Sequence, residues 1–525
     1  MDYTNTYLDT RGSQATGPWP TFTEVIVKGI ADGGGLFVPR VLPRFACEEL
    51  ASLASLPYAA LATEAYRRFG VDLPAQTVSS LMSAAYGRQF DDEAIAPVRT
   101  IDARTHVLEL WHGPTSAFKD MALQCLPLFF SEALAGQSCQ GGQAGQSGQG
   151  PGHLILVATS GDTGTAALNG FADREHISIV VFYPHGGVSD IQYRQMATQR
   201  GNNVAVFGVR GNFDDCQAAV KRAFADAAFN EELLRRHSLS LSSANSINWG
   251  RLLPQVVYYL SAYLQLLANG SVRAGDPIDV CVPTGNFGNI LAGYYAKMIG
   301  VPIDRLLCAS NENRVLADFI NTGTYSIVNR PFVLTPSPSM DILVSSNLER
   351  QLFELSGRDA ALIRDWMGEL AQTRRFSVGK DVFAALREHF SADWVSSNDS
   401  LLTIRNVFEA HGYLIDPHTA VGWEVAERLR GDNPVVIVST AHWAKFGADV
   451  YRALKGLPAG SPLPAEAAGK SGAELNAHMG RAFGACDVPT RLRGIDEQHV
   501  RFTEVVDADT ASLEAAVTGW LATRR

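Results

Sequence analysis

An α/β fold built on parallel sheets is predicted by three observations. Short apolar runs recur from about residue 105 to residue 440, and most end in loops of small or polar residues. Segments of helical periodicity separate them. Runs such as HLILVATS (153–160) and ISIVVFYP (177–184) are apolar throughout instead of alternating, which is the pattern of strands covered on both faces. Ligands in such folds bind at loops beyond the carboxyl ends of the strands.

The chain has 525 residues, 46% of them hydrophobic, enough for two or three domains. We divide it into a mainly helical N-terminal domain (1–100), a small α/β domain (101–250) and a large α/β domain with a C-terminal region (251–525). The segment FTEVIVKGIADGGGLFVP (22–39) has helical spacing, a three-glycine turn and a short strand. Residues 46–96 carry two or three amphipathic helices. THVLELWHG (105–113) reads as a strand, and HLILVATS is followed by the helix TGTAALNGFA (163–172). ISIVVFYP and NNVAVFGV (202–209) are strands, and 214–229 is an amphipathic helix. IDVCVPTG (278–285), IDRLLCAS (303–310) and PVVIVST (434–440) continue the series. The apolar run 252–267 contains Pro254, Gln255, Ser261 and Gln265, is too short to cross a bilayer, and reads as a buried helix. The Gln/Gly/Ser stretch 136–152 cannot bury a core and reads as a flexible insertion. Residues 456–472 read as a surface loop. No internal repeat is present.

The net charge of −10, without basic runs, argues against nucleic-acid or anionic-membrane binding. Seven scattered cysteines form no CxxC pair and no Cys/His cluster. They indicate reduced thiols in a cytosol and no metal site. The N-terminus has no basic-then-apolar signal, so a cytoplasmic location is expected.

Chemistry concentrates in WHGPTSAFKDMALQ (111–124). Lys119 follows Gly113, Pro114, Thr115 and Ser116, a turn that presents a functional group ahead of a helix. Burial there would lower the lysine pKa and free its amine, making it a candidate Schiff-base residue. In SGDTGTAA (160–167), Ser160 and Gly161 close a strand and Asp162 or Thr163 can cap the next helix. Open amides at a helix N-terminus favour a carboxylate or phosphate. In PTGNFGN (283–289), Gly285 and Gly288 permit close approach and positive φ, and successive amides can nest a phosphate. The spacing is GxxG and no Walker lysine follows, which excludes a nucleotide triphosphate loop. In STAHWAKF (439–446), Thr440 can offer a hydroxyl to a ring nitrogen, while His442 and Lys445 can face an anion. A reactive amine, a phosphate cradle, a carboxylate-binding turn and a hydroxyl suit pyridoxal 5'-phosphate better than a nicotinamide or a nucleotide.

With these motifs the chain resembles the threonine synthase family, in the bacterial and fungal branch of fold type II pyridoxal-phosphate enzymes. HGPTSAFKD resembles the family's lysine motif, SGDTG its substrate loop and PTGNFGN its phosphate cup. YLDTRG with FTEVIVKGIADGGGLFVP, SANSINWGRLLPQVVYY (243–259) and IDPHTAVG (415–422) also match, so the likeness runs from about residue 3 to 446. Trp443 stands where the family often has proline, and the 136–152 insertion is not a family feature.

The resemblance implies a fold with two parallel-sheet α/β domains and a helical N-terminal domain. It implies conversion of O-phospho-L-homoserine and water to L-threonine and phosphate. Lys119 would anchor the cofactor and carry protons. Gly285, Asn286, Phe287, Gly288 and Asn289 would hold the cofactor phosphate, and Thr440 would face the pyridine nitrogen. Ser116, Ser160, Gly161, Asp162 and Thr163 would meet the substrate near its carboxylate. Asn245, Asn248, Arg251 and Lys445 would serve its phosphate side. The expected partner is this small substrate, with no nucleic acid and no membrane, in a monomer or homodimer. Alternatives are a related phospholyase or a serine/threonine dehydratase giving 2-oxobutyrate, or a non-catalytic binding protein on the same fold.

Overall fold

The computed structural model describes residues 4–13, 17–140, 152–485 and 487–524. Two sheets dominate. The larger has six strands in the order Phe390–Trp394, Ile303–Ser310, Ile278–Pro283, Val435–Ser439, Thr105–Glu109 and Val98–Thr100. Its pairings are parallel except the last, where Val98–Thr100 runs antiparallel to its neighbour. The smaller is wholly parallel, in the order Val505–Asp507, Val204–Arg210, Ile177–Pro184, Gly152–Ala158 and Leu239–Ser242. Ile177–Pro184 and Ile278–Pro283 are buried at every position, which explains their unbroken apolar runs.

Strand pairing departs from the expected contiguous domains in two places. Thr105–Glu109, assigned by position to the small domain, pairs in register with Val435–Ser439 inside the large sheet. Val505–Asp507, assigned to the large region, closes one edge of the small sheet beside Val204–Arg210. Apolar runs reveal strands, but partner choice comes from tertiary packing, which sequence position does not record.

In the N-terminal region helix Phe22–Lys28 precedes strand Phe37–Pro39, and residues 46–96 hold three helices, Cys47–Leu53, Tyr58–Arg68 and Ala75–Ala85, where two or three were expected. Phe22 meets Tyr66 and Phe129 edge-on, 5.8 Å from each, and these rings seat this region on the rest of the core. The run 252–267 lies in the buried helix Trp249–Ala268. The helix expected over 214–229 divides at Asp226, whose carboxylate caps a new helix, Ala227–His237. The start of the expected insertion is helical instead, because Leu126–Gln140 continues through residues 136–140. Residues 141–151 lie outside the described residues. Among the described residues, no helix is long and apolar enough to cross a membrane and no residue group could hold a metal ion. Among the described residues Cys47, Cys125, Cys216, Cys281 and Cys308 are free thiols.

Helix Asp162–Phe171 presses on the short helix Asp120–Leu123 through Gly170, where a Cβ would overlap the Leu123 carbonyl. Gly170→Ala should therefore overpack this contact and destabilise the protein by about 1–3 kcal/mol, measured by urea denaturation.

Candidate active site

Strand ends assemble the site. Thr105–Glu109 leads to the lysine turn, Ile278–Pro283 to the 284–289 loop, Val435–Ser439 to Thr440, and Gly152–Ala158 to the SGDTG loop. The lysine turn is held from inside. The Thr115 amide and hydroxyl both donate to the Asp120 carboxylate, at 2.7 and 2.8 Å. Burial pushes the Asp120 carboxyl up to about 6, against the pull of those bonds. Gly113 is required because a Cβ would overlap Asp120. Ser116 adopts a left-handed φ of 56°, and its Oγ is buried without a partner. The turn is laced to the Thr440 loop. Phe118 N donates to Thr440 O at 2.8 Å, and His442 N donates to Ser116 O at 3.1 Å.

Lys119 is 8% exposed. Its Nζ donates to Ser339 Oγ at 3.3 Å and lies 3.7 Å from Asp162 Oδ2. Burial lowers its pKa to about 8; Asp162 opposes the shift, while Lys445 and Arg251 add to it. Asp162 is the centre of this arrangement. Its Oδ1 accepts from Lys445 Nζ at 2.7 Å and from Gln192 Nε2 at 2.9 Å. Burial opposes ionisation of Asp162, but the two ammonium groups hold its carboxyl well below the usual range. The cap expected of Asp162 or Thr163 is absent, because the N-cap position falls on Gly161. Gly161 has φ of 129° and leaves room for the Gln192 side chain. The Thr163 side chain stays partly exposed beside it. Among the described residues, no acceptor meets the amides of Ser160, Asp162 or Thr163.

The loop after Ile278–Pro283 is an anion cradle. No acceptor among the described residues meets the amides of Gly285, Asn286, Phe287, Gly288 or Asn289. They stand at the N-terminus of helix Gly288–Met298, where the dipole favours negative charge. The left-handed residue is Phe287, at φ 62°, not either glycine as expected. Its ring is buried 5.7 Å from Phe390, and that packing holds the conformation. The glycines serve close approach instead, since a Cβ on Gly285 would lie 2.8 Å from Ser339 O. Tyr259 donates to Asn289 Oδ1 at 2.6 Å, while Asn289 Nδ2 is buried without a partner. The buried Thr440 makes no hydroxyl hydrogen bond among the described residues. Free amides, an unpaired amide donor and an uncommitted hydroxyl around a buried lysine fit pyridoxal phosphate.

The other predicted residues separate. Arg251 is 3% exposed, donates through Nη1 to Ala244 O at 2.7 Å, and leaves Nε unpartnered. No carboxylate pairs with it among the described residues, and burial pushes its pKa down to about 10. Asn248 is occupied at both ends, since Oδ1 caps Gly250 N and Nδ2 donates to Ile26 O. Asn245 is exposed. Lys445 is fully buried and, besides Asp162, donates to Thr115 O at 2.8 Å. His442 does not offer a cation: burial pushes its pKa down to about 3. Trp443 is buried and its Nε1 donates to Asp487 at 3.1 Å.

Sequence reasoning missed Ser339, which lies in the short 3-10 helix Pro338–Met340 just before Asp341. Its amide donates to His418 Nε2 at 3.2 Å, and His418 Nδ1 lies 2.6 Å from Asp416 Oδ2. The signal was IDPHTAVG itself, a polar Asp and His inside an apolar match. Asp341 pins the stretch by accepting from Asn311, Asn313 and Thr335.

In cofactor-free protein, acylation of Lys119 followed by peptide mass spectrometry should titrate near pH 8. Asp162→Asn should lower that midpoint, because the carboxylate raises the amine's pKa. It should also destabilise the protein by about 3–5 kcal/mol by stranding buried Lys445. An unmoved midpoint would remove Asp162 from this role.

Comparisons with known proteins agree with this geometry. The model described as "Threonine synthase N terminus" matches residues 6–86, "Pyridoxal-phosphate dependent enzyme" matches 100–441, and "Threonine synthase, C-terminal" matches 419–517. Threonine synthase-like 1 of Homo sapiens is 45% identical over 83% of this chain, which spans 58% of that relative's length. Threonine synthase of Pseudomonas aeruginosa is 39% identical over 88% of this chain and 92% of its own. The PLP-bound threonine synthase structure from Brucella melitensis superposes with a TM-score of 0.81 at 36% identity, covering 98% of this chain and 99% of that one. This chain belongs to the threonine synthase family of pyridoxal-phosphate-dependent enzymes.

Proposed function

We propose that the protein is a threonine synthase acting on O-phospho-L-homoserine and water to give L-threonine and phosphate. The observation that carries this reading is Arg251. A buried guanidinium without a carboxylate partner, near enough to depress the Lys119 amine, calls for an anionic group on the substrate. A second anion has its own place at the free amides of Ser160, Asp162 and Thr163, which suit a carboxylate.

The amides of residues 285–289 would hold the cofactor phosphate, and Thr440 would meet the ring nitrogen. The bound cofactor supplies an electron sink for the pair left when a proton leaves the substrate Cα. Lys119 takes that proton and serves later transfers at Cβ and Cγ, oriented by Ser339 and Asp162. Its lowered pKa leaves a usable fraction of free amine near neutrality. A hydroxyl from Thr440 does not force protonation of the ring nitrogen as a carboxylate would, which favours passage of charge on to Cβ. Ser116 Oγ, buried without a partner beside this turn, is a further substrate contact. Lys445 acts mainly through Asp162 and Thr115, adding positive charge near the phosphate side. Asn248 shapes the 243–248 loop as a cap, and Asn245 is left as a contact at its rim.

Relatives at 45% identity are named threonine synthase-like 1 and not threonine synthase, so a second reading stands beside the first: a phospholyase making 2-oxobutyrate, ammonia and phosphate from the same substrate with the same lysine and anion sites. Product analysis separates the two. The loaded enzyme should release phosphate and threonine in equal amounts; 2-oxobutyrate with ammonia would replace the first reading by the second. Lys119→Ala should abolish turnover and the absorbance of lysine-bound cofactor. Arg251→Met should raise KM for O-phosphohomoserine about 10- to 100-fold, the size of a lost charged hydrogen bond, with cofactor affinity nearly unchanged. An unchanged KM would reassign Arg251 to structure.

A further inference from the structure

We propose that Arg350 is a positioning residue which, through Asn347, sets the aim of the phosphate cup and ties it to the 243–248 loop and the N-terminal strand. The proposal rests on reading residues 285–289 as that cup.

Arg350 is fully buried and spends each arm of its guanidinium on a different segment. Nε donates to Phe37 O in strand Phe37–Pro39 at 2.9 Å. Nη2 donates to Ile247 O at 2.5 Å, and Nη1 to Asn347 Oδ1 at 2.6 Å. No carboxylate pairs with it among the described residues; neighbouring Glu349 is taken by Thr10 and Arg11. A buried cation held only by neutral acceptors is a poor stability device, and an apolar side chain of similar volume would avoid the desolvation cost. What the arrangement delivers is orientation.

Asn347 relays it. Its amide donates to Asn286 O at 3.1 Å, and its Nδ2 donates to Ser246 O at 3.2 Å. Ser345 Oγ adds a bond to Gly285 O at 2.6 Å. In a planar trans peptide the carbonyl and the next N–H point in opposite directions. Drawing Gly285 O and Asn286 O back toward residues 345–347 therefore turns the amides of Asn286 and Phe287 the other way, into the cup. Asn347 is fixed for this task because Arg350 holds its side-chain oxygen, which sets its amide nitrogen toward Ser246. Gly288 leaves room, since a Cβ there would come 3.2 Å from Asn347 Nδ2.

The test uses full-length protein stripped of cofactor and titrated by absorbance with pyridoxal phosphate and with pyridoxal, which lacks the phosphate. Wild type should prefer the phosphorylated form strongly; loss of that preference in wild type would sink the cup reading itself. Arg350→Met and Asn347→Ala should each weaken pyridoxal phosphate about tenfold and pyridoxal hardly at all, in line with one charged hydrogen bond. The double variant should be no more than about twofold worse than the poorer single, because the two act in series. Arg358→Met is the control. Arg358 binds Glu354 and Arg40 O nearby but does not reach the cup, so its variant should keep wild-type affinity. With the wild-type preference intact, multiplicative losses in the double variant, or single variants within twofold of wild type, would overturn the role of Arg350. Should Arg350→Met fail to fold, the smaller Asn347→Ala carries the same reading of phosphate preference.

Discussion

One buried carboxylate, Asp162, organises the site. It accepts from Lys445 and Gln192 and lies beside Lys119, and in doing so joins loops from both sheets. Removing it would leave two ammonium groups facing each other in a dry interior, where like charges repel strongly. Its presence lets one lysine be structural and the other chemical. Lys445 is locked to Asp162 and the Thr115 carbonyl; Lys119, held more loosely at 3.7 Å, keeps a lowered pKa and a reachable amine. The same residue type thus plays two roles that differ only in how completely the ammonium is paired.

A second theme is the separation of neutral from charged recognition. The 285–289 loop offers neutral donors, backbone amides at a helix end and the Asn289 side-chain amide, while Arg251 offers a full positive charge. Amides aimed by neighbouring carbonyl bonds bind a phosphate in one orientation and cost little to desolvate. A buried guanidinium with a free Nε binds more strongly and tolerates a group that arrives and leaves. The permanent and the transient anion of the proposed reaction are suited to these different hosts.

Much of the fold was legible in the sequence. Strands buried on both faces announce themselves as unbroken apolar runs, and Ile177–Pro184 was read to the residue. The lysine turn was legible because Gly, Pro and small polar residues before a helix leave few alternatives. Pairing partners were not legible: nothing in THVLELWHG records that it lies beside a strand more than three hundred residues away. Within the site, single residues misled where their partners were distant. Asn248 looked free until Ile26 O claimed it, and Asp162 looked like a substrate contact until two lysines surrounded it. Ser339 carried no signal of its own, since one short 3-10 turn has no periodicity to betray it; the only pointer was the distant His418 that meets its amide. The positive φ went to Phe287 because ring packing against Phe390 holds a strained backbone that glycine would merely have permitted.

Closure of the small sheet by Val505–Asp507 has a consequence for synthesis of the chain. The strand that covers Val204–Arg210 is made about three hundred residues after it, and helix Thr510–Ala522, whose Leu513, Val517 and Leu521 complete the adjoining core, comes later still. On the ribosome the N-terminal region and most of the large sheet can assemble while this edge still stands open. An open parallel edge flanked by apolar surface invites pairing with other chains. The edge at residues 204–210 therefore stays exposed to such pairing until Val505–Asp507 and helix Thr510–Ala522 have been made and folded against it.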